Sequence, residues 1–194
     1  MNVTPGFDKA AAYDGSGERL PAGGYICKIL KARCEYTQSG SEQLVLALEI
    51  MEGDFAGFAK RQFESRKANN PNATWPCIFK QFTLDREGQT SPYFKGMLKS
   101  IEESNAGYKW NWQEATLANK MIGMIFREEE FLAQDGTIKT AVKPAFPRSV
   151  ERIRNGVDVP EIKRLNNAQG NATAPNNTMQ NTGFTEVDDD ELPF

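Results

Sequence analysis

The 194-residue sequence contains no histidine. That absence removes Ser-His-Asp and Cys-His nucleophilic sites, His-ligated metals and imidazole acid–base chemistry. Cysteine is scarce as well: Cys27, Cys34 and Cys77 form no CxxC pair and cannot all be bridged. Such a count reads as reduced thiols acting as small buried hydrophobes, and it excludes a four-Cys zinc site. No apolar run approaches the roughly 20 residues a membrane span requires, and Met1 to Ala12 lack the features of a signal peptide. The expected location is the cytoplasm. GxxxxGK[ST] is missing, and neither Lys67 nor Lys120 follows a phosphate-binding glycine pattern. Glu102-Glu103 and Glu128-Glu129-Glu130 lack metal-site spacing and read as solvated ends. No enzyme, metal or cofactor is expected.

Bases are missing from one region altogether. Residues 165–194 hold no Lys or Arg and five acids, whereas residues 1–164 hold 23 bases and 21 acids. A body of charge +2 therefore precedes a tail of charge −5, an asymmetry that points to two different partners. Residues 165–185 contain six Asn and two Gln and little to bury. Ordering them would cost about 1–2 kcal/mol per residue in chain entropy, so a disordered linker is expected. The chain divides into an N-terminal extension (1–19), a body (20–164), this linker, and an acidic tip (186–194).

Within the body, Tyr25 to Tyr36 is a β-rich run. Leu44, Leu46, Leu48 and Ile50 alternate with their neighbours as a half-buried strand does, and residues 38–41 read as the hairpin connection. Residues 57–64 are expected to form a third strand, followed by a polar loop over 66–74 and a short apolar run over 77–84. Ser91 as N-cap, Pro92 at the first position, and Phe94, Met97, Leu98 and Ile101 on one face predict a helix ending at 105–107. Residues 120–130 and 137–146 complete the pattern as strands around an Asp135-Gly136 turn. The expected class is mainly β: a five-stranded OB-fold barrel with one helix between strands 3 and 4. Other small α+β sheets share this element order.

Bases and aromatics interleave in the body, the chemistry that single-stranded nucleic acid needs for phosphates and for bases. Lys60, Arg61, Lys80, Lys139, Lys143 and Arg148 are the phosphate candidates, and Trp75 and Phe79 the stacking candidates. Lys139 and Lys143 share a strand face. Phe63, Phe82 and Phe146 read as core, and Trp110 and Trp112 as a cap on the end of the core. The tip ends in an apolar Leu-Pro-Phe that a generic acidic tail does not need. A partner could take the Phe194 ring in a pocket and the carboxylates on a basic rim.

The tip Asp188-Asp189-Asp190-Glu191-Leu192-Pro193-Phe194 resembles that of bacterial and phage single-stranded DNA-binding proteins. The stretches LVLALEIMEGDFAGFAKRQF, SPYFKGMLKSIEESNAGYKWNW and FPRSVERIRNG resemble a phage-encoded family of replication modules proposed to supply this function. The resemblance implies an OB-fold body that binds single-stranded DNA and a tip that docks replication, recombination and repair proteins. A protein-interaction adaptor and a single-strand annealing protein stay open as alternatives, as does homo-oligomerisation.

Overall fold

The computed structural model describes residues 18–133 and 135–165. The N-terminal extension up to residue 17, the linker from residue 166 and the whole acidic tip, Asp188 to Phe194, lie outside the described residues.

Five antiparallel strands form one open sheet in the order β3-β2-β1-β4-β5. They are β1 (Gly23–Tyr36), β2 (Glu42–Ile50), β3 (Ile78–Phe82), β4 (Met121–Leu132) and β5 (Ile138–Arg148). Among the described residues, three α-helices accompany them, α1 (Phe58–Asn69), α2 (Pro92–Ser104) and the short α3 (Val150–Arg154), with a 3-10 turn at Glu114–Leu117. The sheet is not closed; β3 and β5 are its edges. Pro144 and Pro147 on β5 have no N–H to offer, which discourages a further strand from adding there.

The apolar row of β2 faces the core as expected, but the strand is not half-buried: Gln43, Val45, Ala47 and Glu49 on its other face are buried too. Leu44, Leu46, Leu48 and Ile50 are almost wholly buried, each contributing about 1.5–3 kcal/mol of apolar transfer. Cys27 and Ile29 of β1 and Ile122, Met124 and Phe126 of β4 complete the layer, and α2 covers it with Phe94, Met97, Leu98 and Ile101. Ser91 caps α2 by accepting the Phe94 N–H, with Pro92 at the first position. Among the described residues, no helix is long and apolar enough to cross a membrane.

The expected third strand at 57–64 is instead the start of α1, and strand β3 falls in the apolar run after the loop. The physical reason is readable afterwards. FAKRQFESRKAN has no β-branched residue and is built mostly from good helix formers. Phe58, Ala59 and Phe63 lie within one arc at helical spacing. Gly57, in the left-handed region at φ 76°, turns the chain into the helix but offers no side-chain cap. Glu49 of β2 supplies it: its carboxylate accepts from the Ala59 N–H at 3.0 Å and the Lys60 N–H at 2.9 Å. A strand residue thus satisfies the helix N-terminus, where a carboxylate is also favoured by the helix dipole.

The expectation that the thiols are buried fails at Cys34, which a register shift in β1 places on the same side as Cys27 but beyond the core. With a regular strand, Cys27 and Cys34 would point to opposite faces. Between Ile29 and Lys31 the register slips, so Cys27 pairs with Ile50 and Cys34 with Leu44. One extra residue inverts the parity, and both thiols face the same side of the sheet. Cys27 lies under the core and is buried; Cys34 lies beyond it and is exposed.

On the other side, two glycines let α3 approach the sheet. A methyl on Gly24 would lie 2.6 Å from Val157 Cγ2, and one on Gly123 would lie 2.7 Å from the Ser149 carbonyl oxygen. Residue 163 extends the packing by exchanging backbone hydrogen bonds with Glu128 and Glu130 of β4.

Candidate nucleic-acid interface

The sequence-chosen residues separate into two groups. On the α1–β3 side, Arg61, Trp75 and Phe79 serve the fold. Arg61 makes a two-pronged contact with Glu18, at 2.7 and 3.1 Å, and fastens residue 18 to α1. The hydrogen bond from Arg61 lowers the Glu18 carboxyl below its usual range. Lys60 lies on the exposed side of α1, 3.9 Å from Glu64. Trp75 is not a free ring: its indole N–H donates to the Leu48 carbonyl at 2.8 Å, and its rings pack 5.3 Å from Phe63. Phe79, 5% exposed, belongs to the core and not to a stacking surface. Lys80 sits half-buried opposite Val45.

The residues on β5 do come together. Lys139 stands opposite Phe131 and Lys143 opposite Arg127. A register irregularity between Ile125 and Phe126 then places Phe146 opposite Ile125 and Arg148 opposite Gly123. All four β4 partners have the parity that faces away from Ile122, Met124 and Phe126. The irregularity therefore keeps Lys139, Lys143, Phe146 and Arg148 on a single face, where a regular strand would have split them. Arg127 lies over the Phe146 ring at 5.1 Å, so this Phe backs a cation instead of filling the core. Glu129 is an acid on this face, with which Arg127 and Lys163 both pair, and Asp158 is another beside Arg148. Arg148 and Arg152 line a cleft of about 470 Å³ beside α3. Lys139 is held 2.8 Å from Asp135, whose carboxyl is brought down to about 2 by Lys139 and Thr137.

Three large rings that sequence reasoning did not select are exposed. Tyr36 (71% exposed) and Tyr93 (75%) line an open cleft of about 680 Å³ with Phe82, Leu84 and Arg86. It opens where β1 and β2 meet the 38–41 hairpin. Trp112, also 75% exposed, does not cap the core as expected, whereas Trp110 does pack against it. Tyr93 had a readable signal: it falls off the 94/97/98/101 face of α2, so an aromatic there must face solvent. Tyr36 had none beyond its place at a strand end.

Burial pushes the Cys77 thiol up to about 12 and Cys27 well above the ordinary range. Both stay protonated at neutral pH. Among the described residues, no three His, Cys, Asp or Glu side chains are grouped to hold a metal ion.

Residues 6–78 are similar to a family described as "Protein of unknown function (DUF669)". The matched stretch runs through β1, β2 and α1 to the first residue of β3, less than half of the chain. No curated protein matches the sequence.

Proposed function

We propose that this chain is a sequence-nonspecific single-stranded DNA-binding protein of phage type, acting in replication and recombination by binding and not by catalysis. The observation that carries the reading is the cationic face of β4–β5, where Lys139, Lys143 and Arg148 line up with Arg127 and an aromatic ring. The strand order supports an OB-type body: β3-β2-β1-β4-β5, with α2 between β3 and β4, is the order of an OB barrel opened between β3 and β5. In this reading phosphates lie on Lys143 and Arg148, with Lys139 recruited from Asp135. The acidic tip, Asp188, Asp189, Asp190, Glu191, Leu192, Pro193 and Phe194, docks replication and recombination proteins. That role rests on the sequence resemblance.

The test is titration with a dT oligomer over a range of salt concentrations. Wild-type protein binds, with affinity falling as salt rises. Replacing Lys143→Gln and Arg148→Gln together flattens the log–log salt slope by about 1.4, two phosphate contacts at about 0.7 each. The absence of wild-type binding at low salt would sink the reading.

A further inference from the structure

Between α2 and β4 lies a turn whose most conspicuous side chain the β4–β5 face does not use. Trp112 is three-quarters exposed, and its backbone is in the left-handed region at φ 63°. Bulky residues rarely adopt that conformation, and strain of this kind persists only where the surroundings over-determine it.

The surroundings here do so. Asn105 bridges the base of the turn, donating to the Ile101 and Met121 carbonyls and accepting the Met121 N–H. Glu102 accepts the Trp110 N–H at 2.9 Å and pairs with Lys109. Asn111 accepts from the Gln113 N–H and the Thr116 hydroxyl, and Thr116 in turn meets the Tyr108 hydroxyl at 2.9 Å. Trp110 lies beneath, its ring 6.2 Å from that of Trp112. The Trp110 indole N–H is buried and has no hydrogen-bond partner among the described residues. This network ties the chain on both sides of Trp112, whose indole stands in water against Trp110.

We propose that Trp112, backed by Trp110, is a base-stacking platform for single-stranded nucleic acid. This rests on the DNA-binding reading and adds a site that the β4–β5 face does not include. The occupant follows from the surroundings. An aromatic anchor for a protein partner is normally ringed by contacts that exclude water. The residues beside Trp112 are instead the exposed, polar Asn111 and Gln113. Lys109 is paired with Glu102, and Lys120, 4.7 Å over the Tyr108 ring, is the cation this turn offers to a phosphate chain. A preformed ring loses little freedom on binding, and every base offers it a flat face.

Trp112→Gly and Trp112→Phe in the full chain test this, with affinity for an end-labelled dT oligomer and thermal melting measured in parallel. Trp112→Gly should weaken binding about 5- to 150-fold, the equivalent of one stacked base. Its melting temperature should hold or rise, because glycine adopts the left-handed conformation freely. Trp112→Phe should recover part of the affinity. Unchanged affinity in Trp112→Gly overturns the proposal, as does a fall in melting temperature that accounts for the lost binding. A shift from dimer to monomer at unchanged affinity would assign the ring to a second copy of this chain, and so overturn it as well. If wild-type protein fails to bind dT, the DNA-binding reading itself falls. If wild-type binds and only the variant prediction fails, the loss is confined to Trp112.

Discussion

The two ends of strand β2 are built to opposite rules. At the Leu48–Ile50 end, aromatic and polar groups are tied down: Trp75 bonds to Leu48, Glu49 caps α1, and Cys77 is buried. At the Glu42–Leu44 end, Tyr36 and Tyr93 stand open around a cleft and Cys34 is exposed. Similar residue types occur at both ends. Whether a ring is structural or available is set by what its faces already touch: the Tyr36 hydroxyl also bonds, to Glu42, yet its ring stays open.

The largest expected contrast is in stability. Trp75→Ala removes a half-buried ring and orphans the Leu48 carbonyl, so it should lower unfolding free energy by about 2–4 kcal/mol in denaturant titration. Tyr93→Ala, at the other end, should change it by less than about 0.5 kcal/mol. Equal effects would erase the distinction. Glu49→Ala comes next. It strips the N–H groups of Ala59 and Lys60 of their acceptor, and an unmade cap at this partly buried helix start should cost about 1–2 kcal/mol. Loss of helical circular dichroism ahead of the sheet would sharpen the assignment of Glu49 to α1. The smallest effect is chemical and leaves the fold intact. Cys34 should react with a thiol reagent in native protein, faster as pH rises and its thiolate forms. Cys27 and Cys77 should react only on unfolding, since burial holds both protonated through neutral pH. Fast labelling of two or more native thiols would contradict the packing of the Leu48–Ile50 end.

The same contrast explains what could be read in advance. Strand β2 was legible because Leu44, Leu46, Leu48 and Ile50 recur at period two, although both of its faces turn out to be buried. Helix α2 was legible because one cap, one proline and four apolar positions agree. Helix α1 was misread as a strand: its apolar content is small, and its N-cap comes from Glu49, nine residues before the helix begins. The cationic face was half legible. Lys139 and Lys143 follow from period two, but Arg148 joins them only through the irregularity opposite Ile125 and Phe126. Trp75 was expected as a free ring and Trp112 as a cap on the core, whereas the structure holds the first and exposes the second. Both are indoles beside polar residues, and only the Leu48 carbonyl distinguishes the ring that is held.

The sequence by itself determined the chemical inventory: no histidine, a +2 body, a −5 tail, and enough alternating apolar residues for a mainly β core. Those properties are sums and short-range periods, which one-dimensional order records in full. The tertiary structure decided which rings are exposed, which cations share a face, and which strand residue caps which helix. Each of these depends on a register slip of one residue or on a partner distant in the chain, and neither has a local signature in the sequence.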